Sequence, residues 1–274
     1  MIIINLLADL WYRLDRRHRL ITLRNLAFAL GPELSPGARE ELARQVFAHF
    51  VRFFFEAVGM LCLPLSWLRR RVIVVGHEHA LAALRQGKGV LAIVAHAGNW
   101  ELTGMVYGLA YHPLAIVARR HDHPLMDRLI RALRERGGNT MIPKQGGLKA
   151  ILTRLQRNEI VGMAIDQNTT TKGGILVNFF GHRARTTPIA AILARRFGTP
   201  VLPVLSRRLP DGRHLLEIKP PLPMARTAHP EADIKEQVQL QSQIIEDWIR
   251  QSPEQWLWLH KRWKNQYPKL YQNL

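Results

Sequence analysis

From residue 72 onwards, short apolar runs alternate with stretches of helical period. The runs at 72–75, 90–95, 114–118, 140–142, 160–165, 175–180, 201–205 and 215–218 have the length and residue types of strands. Helical spacing falls between them, near 78–86, 100–109, 124–136, 147–157 and 187–197, and again over 231–250. Short apolar strands separated by helices predict an α/β fold, with a mainly parallel central sheet flanked by helices. Residues 1–70 read differently. Ser35-Pro36 is an N-cap with proline at the first helical position, and Leu42, Val46, Phe47, Phe50, Phe54 and Ala57 follow at three- and four-residue steps. A helical N-terminal part thus precedes a β/α body at 71–274. Near the end, Ser252-Pro253-Glu254-Gln255 has the form of a capping box, which predicts a last helix carrying Trp256, Trp258 and Trp263. No repeat or flexible linker interrupts the pattern, so one domain over 1–274 is expected.

Charge adds a class of partner. The chain carries 39 basic and 21 acidic residues, a formal net charge of +18, which favours nucleic acid, anionic lipid or a phosphorylated substrate. Its arginines are dispersed among strands and helices and form no recognisable nucleic-acid module. The one cysteine, Cys62, excludes an internal disulfide and a multi-cysteine zinc site. No stretch reaches the roughly 18 uninterrupted apolar residues of a spanning helix. Two segments suit a lipid interface: 11–30, where arginines interleave with Trp11, Tyr12 and leucines, and 60–68, apolar almost throughout and followed by Arg69, Arg70 and Arg71. Each is equally readable as a core-packing element with a solvated basic face. The N-terminal 1–70 part is therefore expected to face a membrane surface, unless an anchor precedes this sequence.

Candidate chemistry concentrates at the ends of strands. The run 90–95 closes on His96, and Glu101 follows after four intervening residues. On one helix they would stand about 140° apart, each residue turning about 100°. A bend at Ala97-Gly98 between strand and helix would bring imidazole and carboxylate together as a base and its orienting partner. The alternative is a surface His and Glu beside an ordinary turn. Arg119 follows the strand at 114–118 and Asp166-Gln167 follows the one at 160–165, so three strand ends aim polar groups at one rim, where open α/β sheets gather ligands. Arg120 stands beside Arg119. The stretch 173–187 carries Arg183 and Arg185, with Lys172 just before, around Phe179-Phe180. It reads as an apolar slot beside an anion site, or as a hairpin with a basic edge. His121 and His123 flank Asp122 without a further ligand set, so no metal is expected, and neither a nucleotide-binding glycine fingerprint nor a nucleophile elbow is present.

The stretch His96-Ala97-Gly98-Asn99-Trp100-Glu101 resembles the H-x4-E box of the glycerolipid acyltransferase superfamily, in the form found in the bacterial lipid A late acyltransferases, the lauroyl/myristoyl transferases. Further blocks resemble that family in order: Arg24-Asn25-Leu26, Gly87-Lys88-Gly89-Val90, Val117-Ala118-Arg119 with Asp127-Arg128-Leu129-Ile130, Asp166-Gln167, Phe179-Phe180-Gly181 with Thr186-Thr187, and 256–264 (WLWLHKRWK). The resemblance implies transfer of a fatty acyl chain from acyl carrier protein, or from coenzyme A, to a hydroxyl of a lipid A precursor at the cytoplasmic face of the inner membrane. It implies no cofactor beyond the acyl donor. It casts His96 as general base, Glu101 as its partner, and Arg119 and Asp166 as active-site polar groups. Asn99, Trp100, Gln167, Arg183 and Arg185 are expected to bind substrate. The sequence departs from the family pattern at Asn168 and at His123-Pro124, which leaves another bacterial glycolipid or phospholipid open as acceptor. Two further readings remain at this stage: a non-catalytic binder of anionic lipid or nucleic acid, and a hydrolase using the same pair on water.

Overall fold

The computed structural model describes residues 2–119, 123–171 and 173–274. Four helices come first: α1 (Ile2–Leu14), α2 (Arg16–Leu30), α3 (Pro36–Cys62) and α4 (Leu65–Arg70). The body follows as β1 (Val72–Val75), α5 (His77–Leu84), β2 (Val90–Val94), α6 (Trp100–Ala110), β3 (Leu114–Ala118), α7 (Pro124–Glu135), β4 (Thr140–Pro143), α8 (Leu148–Gln156) and β5 (Ile160–Ala164). It continues as β6 (Ile175–Phe179), β7 (His182–Thr186), α9 (Ile189–Phe197), β8 (Val201–Arg208), β9 (His214–Ile218) and α10 (Pro230–Gln251).

Seven strands form the central sheet in the order β1-β9-β8-β2-β5-β3-β4. Every pairing in it is parallel except β8 with β9, where a short turn joins neighbours directly. The expected mainly parallel α/β sheet with a helical N-terminal part is what forms. The strands at its centre are buried and apolar, as a sheet covered on both faces requires. Two features differ from the sequence reading. The predicted strand at 175–180 stays out of the central sheet and pairs antiparallel with β7, which bears out the hairpin reading of 173–187. The predicted tryptophan-rich last helix does not form: Pro253–Gln255 make a single 3-10 turn, and Ser252 offers no side-chain cap. The reason lies in what the segment pairs with. Gly98 N–H donates to Gln255 O at 3.1 Å, Leu257 N–H donates to His96 O at 3.1 Å, and Trp256 bridges Ala97. A backbone engaged with residues 96–98 cannot close its own helical ladder. Trp256, Trp258 and Trp263 are buried instead against Phe179 and Phe180.

The N-terminal helices pack on this body rather than lying apart from it. Helix α2 buries Ile21, Leu26 and Leu30, and its Asn25 donates from Nδ2 to the carbonyls of Trp258 and His260. Helix α3 buries Val46, Phe47 and Phe50 but leaves Phe54, Phe55, Val58 and Leu61 exposed. Although the sequence offers no uninterrupted apolar run of spanning length, α3 is long and apolar enough to cross a membrane by length and composition, with a window of mean hydropathy 1.3. Arg120, His121, Asp122 and Lys172 lie outside the described residues.

Candidate active site

Strand order decides which polar groups meet. β5 lies between β2 and β3, and the register Val94↔Ala164 puts the ends of β2 and β5 level. His96 and Asp166, each two residues beyond its strand, are therefore neighbours. Arg119, one residue past β3, lies on the same rim. Three of the sequence-predicted site residues share one edge of the sheet, as strand-end reasoning expects.

The bend between β2 and α6 depends on Gly98. Its φ is +63°, and a Cβ there would lie 2.5 Å from Ser206 O, so neither the backbone conformation nor the space admits a larger residue. Helix α3 grips this turn from behind. His49 Nε2 is 3.2 Å from Gly98 O, and Glu56 accepts Asn99 Nδ2 at 2.6 Å. These two α3 residues, seven apart, share a helix face. Glu56 also accepts both terminal nitrogens of Arg208, at 2.6 and 2.9 Å. Burial, with the Arg208 charge adding to it, pushes His49 down to about 3, so it serves the turn as a neutral donor.

The carboxylate behind His96 is Asp166. His96 Nδ1 stands 2.8 Å from Asp166 Oδ1, while Asp166 Oδ2 accepts His96 N–H and Trp256 Nε1–H, both at 2.8 Å. The Asp166 side chain is 1% exposed. Burial by itself raises a carboxyl pKa; the facing imidazole and the three donors outweigh it, and the group is held well below the usual carboxylate range. An ionised Asp166 only accepts, so Nδ1 carries the imidazole proton and Nε2 presents its lone pair. Gln167 Nε2 sits 3.3 Å from that lone pair. A hydroxyl that takes the place of the Gln167 amide would meet the Nε2 lone pair of the neutral ring.

The expected pairing of Glu101 with His96 is not present. Glu101 lies one residue into α6 and turns towards α7, where it pairs with Nε and Nη2 of Arg134, the first contact at 2.8 Å; Trp100 Nε1 donates to it as well. The bend that Gly98 permits carries the helix off the sheet edge instead of folding it back over the imidazole. Asn99 is fully buried as the N-cap of α6, its Oδ1 accepting Leu102 N–H at 2.9 Å, so it shapes the turn and does not reach a ligand. Trp100 stands edge-on to His96, with ring centroids 5.1 Å apart. Arg183 and Arg185, expected at the anion rim, lie on β7 beside a separate shallow groove that also holds Lys235. Phe179 and Phe180 belong to the core and line no slot.

His96, Trp100, Glu101, Arg119 and Gln167 all line one cavity of about 890 Å3, whose rim also carries Lys144, Asn168 and His260. Behind His96 the cavity runs along the sheet face over Ala92, Gly162 and Val204, beneath Thr103, Gly104 and Tyr107 of α6. Gly162 and Gly104 keep it open: a Cβ on either would meet nothing within 4 Å. Phe53, Phe54 and Ala57 of α3 line it on the Trp100 side, where the Phe53 and Trp100 ring centroids are 4.6 Å apart. Arg134, Lys144 and His260 also line the cavity and Trp256 donates to Asp166, none of which the sequence pattern marked. The capping-box pattern at 252–255 hid the last two, because it predicted a continuous helix for the tail.

The site can be placed among known proteins. A family model described as bacterial lipid A biosynthesis acyltransferase matches residues 2–265. The lipid A biosynthesis lauroyltransferase of Escherichia coli K12 is 30% identical over 94% of this chain and 83% of its own length. The palmitoleoyltransferase of the same organism is 29% identical over 91% and 79%. The phosphatidylinositol mannoside acyltransferase of Mycolicibacterium smegmatis is 28% identical over 66% of this chain and 60% of its own. Among solved structures, the 1-acyl-sn-glycerophosphate acyltransferase of Thermotoga maritima covers 84% of this chain and 96% of its own, at 17% identity and a TM-score of 0.37.

Proposed function

The chain belongs to the bacterial lipid A biosynthesis acyltransferase family, and from that premise we propose that it moves a fatty acyl chain from a carrier thioester to a hydroxyl of a lipid A precursor, with His96 as general base and Asp166 as its orienting carboxylate. The observation that carries this reading is the His96–Asp166 pair at one end of an apolar-floored cavity. His96 Nε2 takes the proton of the acceptor hydroxyl as its oxygen attacks the thioester carbonyl. The tetrahedral intermediate then collapses, the C–S bond breaks, and the proton passes from His96 to the leaving sulfur. Asp166 stabilises the imidazolium between the two transfers. Arg119 and Lys144 on the rim suit the phosphate groups of a lipid A precursor or of a phosphopantetheine arm. The donor is acyl carrier protein or acyl coenzyme A; the net charge of +18 suits the acidic carrier protein. The similarity to a phosphatidylinositol mannoside acyltransferase keeps a second acceptor class, another anionic glycolipid, in view. Mass spectrometry of membrane glycolipids from cells with and without the protein tests both. One added acyl chain on lipid A supports the first acceptor, the same gain on another glycolipid supports the second, and free fatty acid alone refutes transfer.

The apolar part of the cavity accommodates the acyl chain, and Gly162 is where its bore is most easily narrowed. Gly162→Val is expected to shift preference towards shorter donors. Against a panel of saturated acyl thioesters, kcat/KM for the longest chain accepted should fall about tenfold relative to its shorter neighbours, since a methylene in or out of an apolar pocket is worth roughly that much. An unchanged chain-length profile refutes the assignment of the slot.

The α3 wall of the cavity adjoins exposed apolar residues, with Phe54 belonging to both. Ile3, Leu6, Leu10 and Leu14 of α1, Phe54, Phe55, Val58 and Leu61 of α3, and Trp67 of α4 are exposed, with Arg69 and Arg70 next to Trp67 and Arg71 over its ring at 4.3 Å. Apolar side chains beside arginines suit the surface of an anionic bilayer, here the cytoplasmic face of the inner membrane. Phe55→Glu with Val58→Glu is expected to weaken sedimentation with phosphatidylglycerol vesicles about tenfold or more. Neither residue lines the cavity, so turnover of detergent-dispersed substrate should persist. Undiminished vesicle binding counts against this face as the membrane contact.

A further inference from the structure

His260 sits in the strap that crosses behind the catalytic turn, in the pattern Trp258-Leu259-His260-Lys261-Arg262. Its backbone is held on both sides: its carbonyl accepts Asn25 Nδ2 at 2.9 Å, and its N–H donates to Leu257 O at 3.2 Å. Its ring is held by the loop that follows β5. Asn168 N–H donates to His260 Nε2 at 3.1 Å. A backbone N–H can only donate, so Nε2 must be the unprotonated nitrogen, and a neutral ring carries its proton on Nδ1. Nδ1 has no hydrogen-bond partner among the described residues, and it is not among the polar atoms sealed from solvent without one. The ring lines the cavity that also holds His96. Burial pushes His260 down to about 4; the Asp166 charge opposes this and the charges of His96, Arg262 and Lys144 add to it, so the ring is neutral at pH 7.

The two cavity histidines are thus set in opposite ways. His96 has its Nδ1–H spent on Asp166 and offers a lone pair. His260 has its Nε2 lone pair spent on Asn168 and offers an N–H. The transfer reaction needs both kinds of group. Attack on the thioester carbonyl converts its oxygen into an oxyanion, which a fixed donor stabilises at no cost of reorganisation. We propose that His260, as a neutral imidazole protonated on Nδ1, donates a hydrogen bond to the acyl carbonyl oxygen as it becomes the oxyanion. The inference rests on the transferase reading above and adds a catalytic residue to it. No proton leaves His260: the acceptor's proton travels through His96 to the leaving sulfur, and Nδ1–H only shares its hydrogen with the developing charge. A neutral donor serves this purpose without offering a competing acid that would protonate the base beside it.

The test has two arms. In the wild-type protein, nitrogen-15 spectra of the histidine rings are expected to show one ring in the neutral Nδ1–H form at pH 7 and still neutral at pH 5, and that signal should vanish in His260→Gln. Assignment of the signal to an Nε2–H tautomer, or to a charged ring at pH 7, overturns the proposal whatever the enzyme catalyses. In the kinetic arm, His260→Gln keeps an oxygen to accept Asn168 N–H but has no donor where Nδ1 stands, whereas the amide of His260→Asn overlies Nδ1. His260→Gln is expected to lose about 10²-fold in kcat with little change in KM, and His260→Asn to recover about tenfold of that loss. Full activity in His260→Gln, or equal losses in both variants accompanied by a lowered melting temperature, overturns the donor role. Lack of thioester turnover by the wild-type protein would strike the transferase reading itself, and the nitrogen spectra keep that failure distinct.

Discussion

Asp166→Asn is expected to lower kcat about 10³-fold while the protein stays folded. Asp166 accepts three hydrogen bonds, from His96 N, His96 Nδ1 and Trp256 Nε1. An asparagine has one acceptor oxygen for these donors, and its amide nitrogen faces at least one of them as a second donor. The imidazole then either loses its Nδ1 partner or adopts the other tautomer, which buries the lone pair that the reaction needs. The charge that supports the imidazolium is gone in both cases. Stability should fall by about 1–3 kcal/mol, the usual cost of leaving a buried donor unpaired. The sign of its pH dependence follows from the depressed folded pKa of Asp166. Its contribution is complete above the unfolded carboxylate value of about 3.9 and is lost as pH falls below it towards the folded value. Glu101→Gln provides the contrast. It loosens Arg134 and Trp100 but leaves the carboxylate on His96 in place. The acid limb of the pH–rate profile, set by protonation of the base, should therefore shift to lower pH in Asp166→Asn and stay where it is in Glu101→Gln. The reverse pattern would return the orienting role to Glu101.

His96→Ala should remove transfer altogether, to below about one part in 10³ of the wild-type rate, with the melting temperature and vesicle binding little changed. The side chain is 21% exposed at the cavity, and among the described residues its ring nitrogens meet Asp166 and Gln167. Its loss leaves Asp166 with Trp256 Nε1–H and the residue 96 backbone N–H as donors, so the carboxylate remains partly satisfied. Retained transfer in a single-turnover assay, with acyl thioester and acceptor both in excess of enzyme, would falsify the general-base role.

The sheet was legible because its strands are short, apolar and punctuated. Runs such as 90–95 and 160–165 leave few alternatives once helical period flanks them. Placing His96, Arg119 and Asp166 on one rim also needed only the rule that ligands collect at the carboxyl ends of parallel strands. The choice between Glu101 and Asp166 was not legible. It depends on β5 lying directly beside β2, a fact of strand order separated by seventy residues of chain, whereas the nearness of Glu101 to His96 in sequence is plain to the eye. The tail failed for a related reason. Ser252-Pro253-Glu254-Gln255 has every local mark of a helix start, but residues 255–257 find hydrogen-bond partners in Gly98 and His96, and a non-local pairing overrode the local preference. The same override displaced Arg183 and Arg185: they are basic and near Asp166 in sequence, yet the β6–β7 hairpin turns them to another surface.

The strap from Gln255 to Leu257 has one consequence in time. Translation delivers domains from the N-terminus onwards, and folding starts before the last residues emerge. Strands β2 and β5, which bear His96 and Asp166, are made long before Trp256, whose indole completes the carboxylate's set of donors. A nascent chain can therefore bring the two strand ends together before the indole that completes the Asp166 donor set exists. A ribosome stalled short of residues 255–257 holds the sheet and its cavity with Asp166 one donor short and the turn at 96–98 without its backbone partners.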